Sequence, residues 1–137
     1  MITARLDENT LVARHPIAPA DMAEAAAAGV KTIINNRPDG EEYGQPTGAD
    51  IEAAAKAAGL AYRHIPIAGG FSQAGVEAMA EALAQGSALA FCRSGTRSTY
   101  LWALARARLG DDPAALLAAA ESAGYDLRPI APHLRRV

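Results

Sequence analysis

Apolar residues fall in short blocks along the chain, and polar turn residues separate them. Ile2 to Ala13 alternates around Asp7-Glu8-Asn9, which predicts two short strands joined by a tight turn. A helix is expected from about Pro19, with Asp21 and Glu24 near its positive end and Gly29 placed to stop it. Lys31 to Asn35 reads as a buried strand. Asn36 to Pro46 is a polar loop with two prolines and two glycines. Thr47 and Asp50 have capping-box spacing for a second helix ending before Gly59, and Leu60 to Ile67 reads as the next strand. After the Ala68-Gly69-Gly70-Phe71 loop, Ser72 can cap a helix running to about Gln85. Ala88 to Phe91 is a further strand, with helices expected from about Thr96 to Leu109 and from Pro113 to Gly124. The tail from Tyr125 reads as a short helix or an extended cover, and Arg135-Arg136 as a solvated basic end.

Strands that alternate with helices imply right-handed crossovers. The expected architecture is one three-layer α/β domain over residues 1–137, a mainly parallel sheet of about 4–5 strands flanked by helices. A chain of 137 residues suits that reading. Net charge is -2, which gives no reason to expect nucleic acid or an anionic membrane as partner. The opening residues lack the apolar core of a signal peptide, and no apolar run approaches the ~20 residues of a membrane span. A cytoplasmic location is therefore the expectation. One cysteine excludes an internal disulfide and a cysteine-rich zinc site, and His15 and His133 have no partners at metal spacing. No metal, nucleotide or organic cofactor is called for, and oligomeric state is left open.

That cysteine, Cys92, sits where a strand ends and a helix begins, the position in which open α/β sheets carry function. In Cys92-Arg93-Ser94-Gly95-Thr96-Arg97-Ser98 the turn over Ser94-Gly95 can direct backbone N–H groups at one point. The helix dipole adds to that field, making an anion cradle. Gly95 permits a backbone angle that other residues resist. Arg97 can grip an oxyanion bidentately, and Arg93 can tune substrate preference through charge. The same field favours negative charge on the sulfur, the form in which cysteine is a nucleophile. Ser94 and Ser98 can donate hydrogen bonds to the thiolate or a leaving group, and Thr96 is placed to cap the helix. Against this stands the plainer reading of Cys92 as a small buried hydrophobe. Strand, Cys-x-x-Gly-x-Arg-Ser and helix together favour the catalytic one.

Cys92 to Ser98, preceded by Ile33-Ile34-Asn35-Asn36-Arg37-Pro38-Asp39-Gly40-Glu41, resembles the beta-lactamase-hydrolase-like, phosphatase-like domain family, whose members are also labelled sulfur transferases. The resemblance runs from about Ile2 to Leu109 and implies a fold similar to dual-specificity phosphatases. It leaves two reactions open. Cysteine-dependent phosphatases use Cys-x5-Arg, whereas Cys92 and Arg97 make Cys-x4-Arg, similar to a rhodanese loop. Phe91 stands where phosphatases commonly have His, and Ala68 to Gln73 carries no carboxylate to serve as general acid. A phosphatase without that acid loses about 10²–10⁴-fold on poor leaving groups. These departures favour sulfur transfer from thiosulfate or a low-molecular-weight persulfide through a Cys92 persulfide, with a thiol or protein as sulfur acceptor. The alternative is phosphoester hydrolysis through a Cys92 thiophosphate. For it, Asp39, or Glu41 or Glu42 beside it, is a candidate acid, and Arg37 a second arginine for a small anionic substrate. His64, within a strand, is read as packed and hydrogen-bonded, and Trp102 as core.

Overall fold

The computed structural model describes residues 1–135, so Arg136 of the basic pair lies outside them. β1 (Thr3–Asp7) and β2 (Thr10–Ala13) form the expected hairpin, an antiparallel pair. β3 (Thr32–Asn35), β4 (Ala61–His64) and β5 (Ala88–Phe91) complete a five-stranded sheet in the order β1-β2-β5-β3-β4. β5 lies at its centre, parallel to both neighbours, with Asn35 of β3 paired in register with Phe91.

Strand alternation divides the core between the two faces. Ile33, Leu89, Phe91 and Ala13 point to one side and are covered by α1 (Met22–Ala27) and α2 (Gly48–Ala57), which contribute Met22, Ile51 and Ala55. Ile34, Ala88, Ala90 and Val12 point to the other. There they meet α3 (Gln73–Leu83), α4 (Thr96–Arg108), α5 (Pro113–Ser122) and α6 (Ala131–Leu134). Trp102 of α4 is fully packed on that side, and its indole N–H donates to Asp7 Oδ2 at 2.8 Å. Layering is the three-layer α/β arrangement the sequence implied.

Capping follows the sequence closely. Thr47 Oγ1 accepts from the Asp50 N–H at 3.1 Å while Asp50 Oδ2 accepts from the Thr47 N–H at 3.2 Å, and Ser72 Oγ accepts from the Gly75 N–H at 3.0 Å. The strand expected over Leu60 to Ile67 is shorter, ending at His64. Pro66 has no N–H to donate, although Ile65 and Ile67 still donate to the carbonyls of Asn35 and Asn36 at 2.8 and 3.0 Å. The first helix begins with a 3₁₀ turn over Pro19–Asp21.

This topology places the site. The helices following β3 and β5 leave to opposite faces, so a crevice opens beyond the carboxyl ends of these adjacent strands. Asn36 and Arg37 leave β3 there, and Cys92 leaves β5.

Candidate active site

Cys92 is buried at the end of β5, and its Sγ accepts a hydrogen bond from the Gly95 N–H at 3.2 Å. Gly95 has φ +95° and caps α4 without any side-chain hydrogen bond. The sequence assigned the capping to Thr96; instead Thr96 is the first residue of α4, its hydroxyl 3.3 Å from that of Ser94. A glycine cap leaves the first N–H groups of the helix uncovered. Those of Thr96, Arg97 and Ser98 have no intrahelical acceptor, which is what an anion cradle requires. Thr99 closes the turn from behind, its hydroxyl donating to the Gly95 carbonyl at 2.8 Å. Ser98 is wholly buried, and its Oγ meets no hydrogen-bond partner among the described residues.

Arg97 lies beside the sulfur, held by residues from two other loops. Its Nη1 donates to Ile67 O at 2.8 Å and Glu41 Oε2 at 2.7 Å, and its Nη2 to Glu41 Oε1 at 2.8 Å. These bonds occupy one end of the guanidinium. Of its five donor hydrogens, that on Nε and one on Nη2 are left for an oxyanion. The bond to Glu41 pushes the Arg97 pKa up, desolvation opposes it, and negative charge on Cys92 adds to the rise. The same contact holds the Glu41 carboxyl below its ordinary range, with help from Arg37. Glu41 is therefore an acceptor that orients Arg97, and it is ill suited to give up a proton.

Glu41 is one link in a chain of alternating charges along the crevice. Arg37, nearly wholly buried, donates from Nε to Glu41 at 3.1 Å and from Nη2 to Glu42, and Arg93 Nε lies 3.2 Å from Glu42. Arg37 thus reaches the site by bracing Glu41, with its guanidinium on the two glutamates. Arg93 and Ser94 are exposed at the loop's outer rim. Asp39 is turned away. Its Oδ1 accepts from the Gly48 N–H at 2.6 Å, at the first turn of α2, so the structure brings Glu41 and not Asp39 onto Arg97.

The polar residues after β3 hold that loop in shape. Asn35 Oδ1 accepts from the Arg37 N–H at 2.9 Å, and Asn36 Nδ2 donates to Ile65 O at 2.9 Å. His64 is exposed; its Nε2 lies 3.0 Å from Arg37 O, hydrogen-bonded as expected, and its ring centroid lies 6.3 Å from that of Tyr62. Among the described residues no three His, Cys, Asp or Glu side chains gather where they could hold a metal, and no helix is long and apolar enough to cross a membrane.

The crevice thus holds a buried cysteine under a helix N-terminus, with an oriented arginine five positions on, in a fold of the phosphatase-like class. Residues 4–109 match the model of the beta-lactamase hydrolase-like protein, phosphatase-like domain, and the chain belongs to that family. It is 39% identical over 110 residues to the beta-lactamase hydrolase-like protein of Agrobacterium fabrum, a stretch covering 78% of this chain and 25% of that protein. The chain thus spans about a quarter of that relative's length. Among solved structures, a candidate phosphatase from Neisseria meningitidis superposes with a TM-score of 0.80 at 33% identity, covering 96% of this chain and 94% of the other. Kinase associated phosphatase, solved with its catalytic-site cysteine changed to serine, shares the fold at a TM-score of 0.72 and 16% identity, covering 97% and 90%.

Proposed function

We propose that the chain hydrolyses phosphoesters through a covalent Cys92 thiophosphate. The observation that carries this reading is the Gly95 N–H on Cys92 Sγ at 3.2 Å, beneath an uncovered helix N-terminus and beside an Arg97 already held in orientation. The sulfur attacks phosphorus, the P–O ester bond breaks, and the leaving oxygen departs with the electron pair. Developing charge on the phosphoryl oxygens falls on the inward N–H groups and the free side of Arg97. Water then cleaves the S–P bond, releasing phosphate and restoring the thiolate. The phosphatase-like family and fold support this order of preference over the one drawn from the loop sequence.

The acid side of the site sets the substrate class. Glu41 is held ionised between two arginines and Asp39 is engaged at the start of α2. A leaving group that departs readily as an anion, such as an aryl oxide, is therefore favoured over an alkoxide by about 10²–10⁴-fold.

Two observations favour sulfur transfer as the second reading. The loop is Cys-x4-Arg, and the segment from Ala68 to Gln73 carries no carboxylate. There Cys92 takes the outer sulfur of thiosulfate, sulfite leaves, and a thiolate acceptor collects the sulfur from the persulfide. Steady-state turnover on an aryl phosphate, and on thiosulfate with cyanide as acceptor, separates the two. Phosphate release lost in Cys92→Ser supports hydrolysis. Cys92-dependent thiocyanate formation without phosphate release overturns it in favour of sulfur transfer.

A further inference from the structure

Tyr125 lies beyond the stretch that matches the family, between α5 and the 3₁₀ turn at Arg128–Ile130. Its hydroxyl donates to the Ser94 carbonyl at 2.8 Å. The Ser94 C=O and the Gly95 N–H belong to one planar trans peptide, so they point in opposite directions. That peptide is pinned on both sides, its carbonyl by Tyr125 outside and its N–H by Cys92 Sγ inside at 3.2 Å. Burial raises the Tyr125 phenol above its ordinary range, Arg14 pulls the other way, and negative charge on Cys92 adds to the rise. The group is thus a protonated donor at neutral pH.

Tyr125 is itself braced. The Arg14 guanidinium lies over its ring, 5.1 Å from the centroid, and donates to the Ala123 carbonyl. A Cβ at Gly95 would stand 2.7 Å from the Ala13 carbonyl and closer still to the Tyr125 hydroxyl, so the end of β2 and Tyr125 close directly on the loop.

We infer that Tyr125 is a positioning residue of the reactive loop: by holding the Ser94 carbonyl outward it keeps the Gly95 N–H aimed at the sulfur and at any anion bound there. Without the outer bond the peptide can turn over and present a carbonyl oxygen to the anion, replacing attraction with repulsion. The inference rests on the reading of the loop as an anion cradle and holds for phosphoryl or sulfur chemistry alike.

The test is alkylation of Cys92 by iodoacetate and by iodoacetamide, which differ in charge at the end the cradle would hold. Tyr125→Phe keeps the ring over Arg14 and removes only the hydroxyl. The wild type should favour iodoacetate, and the variant should lower the iodoacetate-to-iodoacetamide rate ratio about five- to tenfold, the worth of one hydrogen bond, with its melting temperature nearly unchanged. Tyr125→Leu, which also loses packing, should lower the ratio no further than Phe while melting earlier. An unchanged ratio in Tyr125→Phe, or a parallel fall of both rates together with the melting temperature, overturns the inference. A wild type without preference for iodoacetate overturns the cradle and the inference with it. A wild type that prefers iodoacetate yet hydrolyses no aryl phosphate leaves the inference standing and removes only the hydrolytic reading.

Discussion

Replacing Glu41 with glutamine tests whether the acidic loop serves the site by holding Arg97. The wild-type carboxylate gives both oxygens to Arg97, at 2.7 and 2.8 Å, and shares one with Arg37 at 3.1 Å. Glutamine keeps one acceptor, places a donor amide where the second stood, and removes the negative charge from the surviving bond, whose donor Arg97 stays a cation. Losing one charge-assisted bond outright and the ion-pair attraction in the other would remove about 2–4 kcal/mol if the pair were dry. The two side chains are 25% and 26% exposed, which cuts that by about half through screening. The remaining 1–2 kcal/mol corresponds to a fall of about 5–30-fold in kcat/KM on an aryl phosphate. Global stability should fall by no more than about the same 1–2 kcal/mol. The pH dependence has a definite sign. Because the folded Glu41 pKa is depressed, the bridge contributes fully above the ordinary 4.5 and is lost as pH falls through the lower folded value. The gap between wild type and variant should therefore narrow only below about pH 4.5. A variant equal to wild type at neutral pH would refute the positioning role. A rise in kcat/KM would show that Glu41 competes with substrate for Arg97.

Gly95→Ala should lower activity at least about tenfold and destabilise the fold by more than about 1–2 kcal/mol, read by denaturant midpoint, because φ is +95° and backbone oxygen of Ala13 blocks a Cβ. Normal activity in that variant would mean the loop is not held as described. Asp39→Asn should cost about 0.3–1 kcal/mol of stability through the start of α2 and leave the acid limb of the pH–rate profile unchanged, since its carboxylate accepts from the Gly48 N–H. A flattened acid limb would return Asp39 to the role of general acid.

Much of the fold could be read from the apolar blocks because β3 and β5 are buried along their whole length and most helices carry a local stop or start signal. Thr47 with Asp50, Ser72 and Gly95 act within three or four residues of themselves, so spacing alone exposes them. Cys92 and Arg97 were legible for the same reason, being in one turn and the helix that follows. The partners of Arg97 were not. Glu41 is 56 residues away, in a loop without periodicity, and sequence cannot say which of Asp39, Glu41 and Glu42 that loop turns inward. Only the path fixed by Asn35, Asn36 and Gln45 decides it, Gln45 Nε2 donating to the Pro38 carbonyl at 2.8 Å. Tyr125 was hidden similarly, since a hydroxyl bonding a carbonyl 31 positions earlier leaves no local signature. The early end of β4, by contrast, was visible in Pro66.

The most direct test of Cys92 as covalent nucleophile is rapid acid quench of the enzyme during turnover of an aryl phosphate, followed by intact-protein mass spectrometry and peptide mapping. The account predicts a transient gain of one phosphoryl group on the peptide bearing Cys92, absent in Cys92→Ser. Sustained phosphate release by Cys92→Ser at the wild-type rate, with no phosphoryl group on that peptide in either protein, would contradict it.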